Sequence, residues 1–395
     1  MTTKAYDNPI RRQVFDLPKL VGVQVENCFR YELKDLMSIS EIFDIRKIII
    51  TGCGDSYAAA IAMAPVLEKY SETFGVTPMR AIDFTRFLTK EEIGIGEPNS
   101  PLVIGISAGG GTARVVEALE KAKEVGAFPI VITNNPGSRC AAAAKRVLNL
   151  ETPPFPDFGP GLRSYFASMI GIVALAMRFG HVKGVLPPTA SRDFQDAITG
   201  YADRFFSGLD AMDEQMFHIA EKWKDFTQFD FIGDGVEYGS AFFGAAKFYE
   251  SSGTMAGSDD SEDWCHINFF LKNAEKIGTV LMADKNSPAY SREIETARSA
   301  VAIGRPLLVV TNGRRQDFPK NADVCMIPET PEGFEWLLPL FDYIPSSLVA
   351  GYVAVLQGEP FFRRTPEGQK PTEADADFGD QSCMTVGNSK IEIHD

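Results

Sequence analysis

A glycine-rich loop that also contains hydroxyl side chains is the first candidate for chemistry in this chain. Its members are Ser107, Gly109, Gly110, Gly111 and Thr112. Glycines let a backbone approach a ligand closely, and the N–H groups at the start of a following helix attract negative charge. Ser56 lies on the corresponding turn after the preceding strand. Backbone amides and hydroxyls together can hold a phosphate. A glycine-rich turn with capping hydroxyls is the alternative.

Two residues in the second half of the chain are candidates for proton transfer. Glu250 lies in a helical pattern, and His266 follows the polar stretch 258–265. A carboxylate can move a proton between adjacent carbons, and an imidazole, which titrates near neutral pH, can act as a general acid or base. A solvated glutamate and a histidine packed beside Trp264 are the alternative, and residue types alone favour it.

An internal duplication places these two sets of residues in different copies of one unit. The apolar run 47–50 ends in Gly52 and continues to Tyr57, and the run 229–232 ends in Gly233 and continues to Tyr238. Farther along, Thr133-Asn134 corresponds to Thr311-Asn312 at nearly the same separation. Such self-similarity indicates two copies of one supersecondary unit.

Apolar runs that alternate with helical patterns predict the fold class. The predicted strands are 47–51, 102–107, 128–133 and 146–150 in the first copy and 230–233, 279–284, 307–311 and 324–327 in the second. This rhythm predicts an α/β protein with two tandem doubly wound parallel sheets, flavodoxin- or Rossmann-like, related by duplication. Ligands are then expected beyond the carboxyl ends of the strands.

The predicted domains follow from the same pattern. They are an N-terminal helical extension (1–40), a first domain with the anion-binding loop (41–200), a second domain with the acid–base residues (201–358), and a C-terminal arm and tail (359–395). The loop of the second copy, 283–288, lacks the glycines and contains Pro288. The anion site is therefore expected in the first copy.

Composition excludes several classes of partner and location. A net charge of −14 argues against nucleic acid or an anionic membrane as partner. The longest apolar stretch, 167–177, is too short to span a bilayer, and residues 1–20 do not read as a signal peptide. The six scattered cysteines predict reduced thiols, buried at Cys53 and Cys325. Cytoplasmic location, no metal and no cofactor are expected.

These motifs together resemble the double-domain SIS (sugar isomerase) family. The family includes the isomerase half of glucosamine-6-phosphate synthase and the fructosamine 6-phosphate deglycases. The resemblance covers residues 47–358 and rests on these motifs: Cys53-Gly54-Asp55-Ser56-Tyr57, the loop 107–112, Asn135-Pro136-Gly137-Ser138, Gly161-Leu162-Arg163-Ser164, and the ending from Pro339 to Gly358.

The resemblance implies roles for individual residues. Ser56, Ser107 and Thr112 would bind the phosphate. Glu250 and His266 match the family's catalytic pair in their spacing, and this histidine would reach the site of the partner in a homodimer. Lys390, in a C-terminal segment that resembles the synthase tail, would assist ring opening or carbonyl activation.

The chain departs from the family's pattern at the anion loop. Relatives often have a further serine and a glutamate where this chain has Gly109 and Gly111, and a small residue where it has Arg163 next to Ser164. We therefore expect an anion site with altered recognition, in which Arg163 binds the anion or instead points to solvent.

The expected function is aldose–ketose isomerisation or deglycation of an anionic hexose, a sugar phosphate, by proton transfer. Isomerisation of a sulfonated hexose, sulfoquinovose to sulfofructose, is an alternative because a monoanion needs fewer donors than a phosphate. A non-catalytic sugar-phosphate sensor is a second alternative, against which the presence of both Glu250 and His266 argues.

Overall fold

The computed structural model describes residues 3–30, 33–94, 101–157, 159–361 and 389–394. The described residues form two compact units. The first-sheet unit contains those within 22–153 and 164–196, together with 389–394. The second-sheet unit contains those within 3–21, 154–163 and 197–361. Most of the predicted C-terminal arm, residues 362–388, lies outside the described residues.

Strands and helices alternate along both units. The strands in the described residues are β1 (Ile48–Gly52), β2 (Val76–Arg80), β3 (Leu102–Ile106), β4 (Phe128–Thr133), β5 (Arg146–Asn149), β6 (Gln228–Ile232), β7 (Met255–Asp259), β8 (Ile277–Ala283), β9 (Leu307–Thr311) and β10 (Asp323–Met326). The α-helices there are α1 (Pro9–Cys28), α2 (Leu33–Leu36), α3 (Ile39–Asp44), α4 (Asp55–Ser71), α5 (Ala81–Arg86), α6 (Lys90–Ile93), α7 (Ala113–Glu124), α8 (Arg139–Ala143), α9 (Leu162–Val182), α10 (Ala190–Phe206), α11 (Leu209–Trp223), α12 (Glu237–Ser251), α13 (Ser261–His266), α14 (Tyr290–Ala302) and α15 (Tyr343–Gln357).

The two sheets have the same strand order, which confirms the predicted fold class and the duplication. The first sheet is ordered β2-β1-β3-β4-β5, and the second, read from its β7 edge, is β7-β6-β8-β9-β10. Every strand pair is parallel. In β1, Ile48, Ile49 and Ile50 are fully buried, as expected for a central strand covered on both faces.

Sequence patterns located eight of the ten described strands and missed β2 and β7. Both of these are edge strands, and in each of them one residue is buried while the other four are partly or fully exposed. Their sequences, VTPMR and MAGSD, therefore lack the continuous apolar run that marks a central strand. Pro78 is tolerated in β2 because an edge strand has one side free of ladder hydrogen bonds.

Two apolar helices are long enough to cross a membrane by composition alone. The helix Leu162–Val182 is 83% buried in its most apolar window, and the span Glu335–Gln357 is 94% buried. The second span joins a 3₁₀ turn at Glu335–Leu340 to α15. Both are core helices, as predicted for the stretch 167–177.

The N-terminal segment is divided between the two units: residues up to Val21 belong to the second-sheet unit and those from Gly22 to the first-sheet unit. Arg11, on α1, pairs with the carboxylate of Asp213 at 2.9 Å and donates to the hydroxyl of Tyr352 at 3.0 Å within the second-sheet unit. The predicted boundary between residues 200 and 201 lies close to the division at Ala197, and the four-part division otherwise remains a prediction.

Candidate functional site

The glycine-rich loop connects β3 to α7 in the first-sheet unit. The hydroxyls of Ser107 and Thr112 lie 3.1 Å apart, and Thr112 is the N-cap of α7 without making a side-chain capping bond. Loop carbonyls accept bonds from neighbouring groups: Ala108 from the Asn134 N–H at 2.9 Å, and Gly110 from the Cys140 N–H at 3.0 Å. The carbonyls are thus turned into the protein.

Backbone donors remain available on the same loop. Within the described residues, no hydrogen bond is made by the N–H groups of Gly109, Gly111 or Thr112. Gly109 and Gly111 are exposed, whereas Ser107 is 4% exposed. Three N–H groups, two hydroxyls and the positive end of α7 therefore converge at one end of β3, an arrangement suited to an anion.

Gly110 fixes the shape of this loop. Its φ is +69°, a left-handed conformation, and a Cβ at this position would lie 2.0 Å from the Oγ of Ser138. Only glycine permits both the conformation and the approach to the neighbouring turn. The loop is consequently built by glycine geometry, as the sequence predicts.

Ser56 lies at the same edge of the sheet as the loop. It is the second residue of α4, directly after β1, and β1 pairs with β3. The turn before it requires Gly52, because a Cβ there would lie 2.7 Å from the Cβ of Ser56. The carboxyl ends of β1 and β3 thus present Ser56 and Ser107 together.

The second copy has carboxyl groups where the first has hydroxyls. Glu237 stands in relation to Gly233 as Ser56 does to Gly52, since a Cβ at Gly233 would lie 2.4 Å from the carbonyl oxygen of Glu237. Asp284 follows β8 as Ser107 follows β3. Both carboxyl groups are buried. The second copy therefore does not repeat the cradle of hydroxyls and glycine amides found in the first.

Burial raises the pKa of three carboxyl groups in the second copy: Glu237, Asp342 and Glu293. It raises the pKa of Glu237 well above its ordinary range, an effect to which the charges of Asp342 and Asp284 add. Burial also raises the pKa of Asp342 to about 7 and that of Glu293 to about 9.

Among the described residues, no group of three or more His, Cys, Asp or Glu side chains could hold a metal ion.

Glu250 is held by a lysine that sequence reasoning missed. It lies near the end of α12 with its side chain 29% exposed, and its Oε2 is 2.5 Å from the Nζ of Lys247. The Lys247 side chain is completely buried, and its ammonium group lies 4.4 Å from the centre of the Phe243 ring. The helical spacing of three residues was the signal that could have identified Lys247.

His266 ends α13 and is 70% exposed at its side chain. Its Nε2 lies 3.0 Å from the Oε1 of Glu262, whose Oε2 is 2.8 Å from the Nε of Arg292. His266 is therefore not a packed core histidine, which was the alternative interpretation beside Trp264. Its imidazole is oriented by a carboxylate and accessible to solvent.

Arg163 and Ser164 lie in the first turn of α9, which begins at Leu162. Arg163 is 7% exposed, so it does not point to solvent. Its Nε is 2.8 Å from the carboxylate of Asp16, and its guanidinium lies 4.8 Å from the centre of the Phe155 ring. Asp16 thus already compensates the charge that was expected to bind an anion. The Ser164 carbonyl accepts a bond from Ser168 at 2.9 Å.

Lys390 lies in a short C-terminal segment that contacts the first-sheet unit. Its side chain is 82% exposed, and its ammonium group lies 2.5 Å from the carboxylate of Glu392. The Lys390 carbonyl accepts a bond from Arg114 at the start of α7. The structure thus brings Lys390 to the helix that follows the anion loop. The contacts of this segment could not be anticipated from sequence.

The cysteines in the described residues are all free thiols. Cys325 is buried, as expected, and its burial raises the pKa of the thiol. Cys53 is exposed, so the prediction that it is buried is wrong. It lies in the turn after β1 rather than within the strand, which explains the difference.

Comparison with known proteins finds a family model and relatives that match parts of this chain. The model of the SIS domain matches residues 97–178. The chain is 24% identical over 364 residues to a glutamine–fructose-6-phosphate aminotransferase (isomerizing) of Thermococcus kodakarensis, an alignment that covers 91% of this chain and 57% of the relative. A protein of the same name from Thermus thermophilus is 27% identical over 266 residues, 65% of this chain and 42% of the relative. The chain therefore spans only about half the length of these relatives.

Solved structures share the fold over most of the chain. The C-terminal domain of glucosamine-fructose-6-phosphate aminotransferase from Francisella tularensis has a TM-score of 0.78 at 18% identity, covering 92% of this chain and all of that one. Glucosamine-6-phosphate deaminase from Thermotoga maritima has a TM-score of 0.64 at 17% identity, covering 92% and 99%. Residues 97–178 therefore match the SIS domain, and the chain as a whole shares the fold of these structures, with two copies of one α/β unit in tandem.

Proposed function

We propose that this protein interconverts an aldose and a ketose form of a hexose phosphate, or deglycates a fructosamine 6-phosphate, by proton transfer. The observation that carries the proposal is the contrast between the two copies. The first keeps free N–H groups and hydroxyls at its strand ends, and the second has buried carboxyl groups there. The relatives are named for fructose 6-phosphate, which supports a phosphorylated sugar as the substrate of this protein.

Glu250 is the proposed base. The buried ammonium of Lys247 holds its carboxylate at 2.5 Å, and a positioned carboxylate next to a charge partner suits transfer between adjacent carbons. His266, exposed and oriented by Glu262, is the proposed group for ring opening. In both candidate reactions the step at the carbon next to the carbonyl is the same, so both require Glu250.

A deuterium experiment tests this role. Glucose 6-phosphate, fructose 6-phosphate and a fructosamine 6-phosphate are incubated with the protein in deuterated water and followed by NMR. We expect deuterium at the carbon next to the carbonyl with the wild type and none with Glu250→Gln. Absence of deuterium incorporation with the wild type, above the rate without protein, would favour the alternative of a sugar-phosphate sensor. Incorporation that is unchanged in Glu250→Gln would exclude Glu250 as the base.

The anion itself can be a sulfonate. The loop offers two hydroxyls and glycine amides, with Gly109 and Gly111 at positions that could have borne further polar side chains. A monoanion needs fewer donors than a phosphate dianion, which supports sulfoquinovose as a second candidate substrate. Turnover of sulfoquinovose is compared with that of glucose 6-phosphate, and a preference for the phosphate rules this candidate out.

We further propose a homodimer in which a second copy covers the segment after His266. Ile267 is 61% exposed and Phe270 is 76% exposed, next to Phe269 and Leu271 at 36% each. Four consecutive or nearly consecutive apolar side chains in water favour a protein partner. Phe270→Asp is expected to give a monomer by light scattering, whereas Phe74→Asp, at a 92% exposed phenylalanine of the other unit, is the control.

Mixing two inactive variants tests whether the histidine acts in the partner's site. Glu250→Gln and His266→Ala homodimers are combined, allowed to exchange subunits and assayed. Recovery of activity is expected if each site takes its glutamate and its histidine from different subunits. Absence of recovery after verified exchange contradicts the shared site.

We also propose that the protein acts in the cytoplasm.

A further inference from the structure

The C-terminal segment 389–394 is docked on the first-sheet unit by charged groups. Arg114 donates from Nη2 to the Oγ of Ser389 at 3.2 Å and also to the carbonyl of Lys390. Arg86 donates from Nη1 to the carboxylate of Glu392 at 3.1 Å and contacts His394. Backbone and side chain of the segment are thus both held.

Glu117 is the centre of these contacts. Its carboxylate is completely buried, with Oε1 2.8 Å from the Nη2 of Arg86 and Oε2 paired with Arg114. The same Oε1 accepts the backbone N–H of Glu392 at 2.8 Å. A buried carboxylate that pairs with two arginines and a backbone amide forms strong, charge-assisted bonds.

Apolar packing fixes the register of the segment. Ile391, between the two residues bound by the arginines, packs against the buried cluster that includes Val115 and Leu119 of α7 and Ala81 of α5. The side chains on either side of Ile391, Lys390 and Glu392, therefore face away from that cluster. This alternation of one apolar anchor between polar neighbours defines a single docked position.

The docking site lies on the helix that starts at the anion loop. Arg114 is the second residue of α7 and follows the N-cap Thr112 closely. The guanidinium that holds Lys390 is therefore fixed at the rim of the proposed anion site. Undocking of the segment would release Lys390 from this rim and remove both contacts of Arg114 with the segment.

We propose that Glu117, with Arg86 and Arg114, forms a docking site for residues 389–394 and thereby positions Lys390 at the anion loop. Glu117 is a positioning residue, because it acts on the reaction through the tail and does not touch the sugar. The part of this inference that concerns Lys390 in catalysis rests on the proposed function, and the part that concerns docking does not.

Amide hydrogen exchange in the full chain tests the docking. The N–H of Glu392 is expected to be protected in the wild type and to exchange faster by on the order of tenfold or more in Glu117→Gln, because a charged acceptor becomes neutral. Glu120→Gln, on the same helix, is the matched control and leaves the exchange unchanged. Equal protection of Glu392 in wild type and Glu117→Gln overturns the proposal.

A variant in the segment 389–394 tests the docking without changing α7, which could misfold in Glu117→Gln. Ile391→Asp changes only the segment, so it removes the apolar anchor and leaves the Glu117 ion pairs in place. It is expected to release the Glu392 amide in the same way. Protection of that amide in Ile391→Asp contradicts a docked segment.

Turnover measurements separate positioning from a purely structural role. If Glu117 acts through Lys390, Glu117→Gln lowers kcat on its own and by less than about twofold in a Lys390→Ala background, since the two effects are not additive. A full additional loss in that background overturns the positioning role. If the wild type converts no sugar, the proposed function fails, while the exchange data still decide the docking.

Discussion

At the scale of single residues, the two copies differ in functional group at equivalent positions. Ser107 in the first copy corresponds to Asp284 in the second, and Ser56 corresponds to Glu237. A hydroxyl can donate to an anion, whereas a carboxyl group repels an anion whenever it is ionised. The duplication therefore allows the proposed anion site of the first copy to be compared with the carboxyl-lined strand ends of the second.

Exchanging one such residue should abolish anion binding. Ser107→Asp places the residue of the second copy into the loop of the first, where a negative charge would lie 3.1 Å or so from the Thr112 hydroxyl. We expect affinity for inorganic phosphate, measured by calorimetry, to fall on the order of a hundredfold, by unfavourable charge contact. Ser107→Asn, which is similar in size, should lose far less. Similar losses in both variants would show that space and not charge is decisive.

Lys247 provides a second prediction at this scale. Replacing it with Met keeps the length and removes the ammonium that lies 2.5 Å from Glu250. We expect kcat to fall on the order of tenfold to a hundredfold, because the proposed base is no longer held in place. Lys272→Met, at an exposed position of the same unit, should leave kcat unchanged. Wild-type kcat in Lys247→Met would contradict a role for the pair.

At the scale of elements, a buried ion pair attaches α13 to the second sheet. Arg305 and Asp230, whose side chains are 0% and 6% exposed, approach to 2.9 Å. The indole of Trp264 donates to the same carboxylate at 3.3 Å, and Arg305 donates to the carbonyl of Asn268 at 2.7 Å. Asp230, within β6, and Arg305, shortly before β9, thus hold the helix that ends at His266.

Breaking this pair should unfold the second-sheet unit more easily. Arg305→Met leaves the Asp230 carboxylate buried without its charge partner, which costs about 3–5 kcal/mol in comparable cases. Denaturant unfolding measures the change. Lys222→Met, which breaks an exposed pair with Asp323, should cost about 1 kcal/mol or less. Comparable losses in both variants would contradict the importance of burial, and Asp230→Leu added to Arg305→Met should restore part of the stability.

Sequence patterns predicted central elements better than edges and contacts. β1 and β4 were identified because every side chain is buried, whereas β2 and β7 were missed because VTPMR and MAGSD contain no continuous apolar run. The glycine loop was identified because its conformation is local. Lys247 and Glu117 were not singled out, although each pairs with a residue three positions away on its own helix, because a sequence does not show which of many such charged pairs is buried.

At the scale of the whole molecule, buried acids link stability to pH. Glu293 lies on α14 with its carboxyl fully buried, and burial raises its pKa from an ordinary value of 4.5 to about 9. Between these two values the folded chain keeps the proton that the unfolded chain releases. Stability therefore falls as pH rises through this window, by about 1.4 kcal/mol per pH unit for one such group.

Glu293→Gln should weaken this dependence on pH. An amide cannot ionise, so the variant loses the difference in proton binding between folded and unfolded chains and should be more stable than the wild type at pH 8. The free energy of unfolding is measured in denaturant from pH 5 to pH 8, and its slope should become shallower by on the order of 1 kcal/mol per pH unit. Glu295→Gln, on the same helix but 62% exposed, should keep the wild-type slope. An unchanged slope in Glu293→Gln would mean that other buried carboxyl groups, such as Asp342, bind the proton instead, and the same measurement on Asp342→Asn would then show the shallower slope.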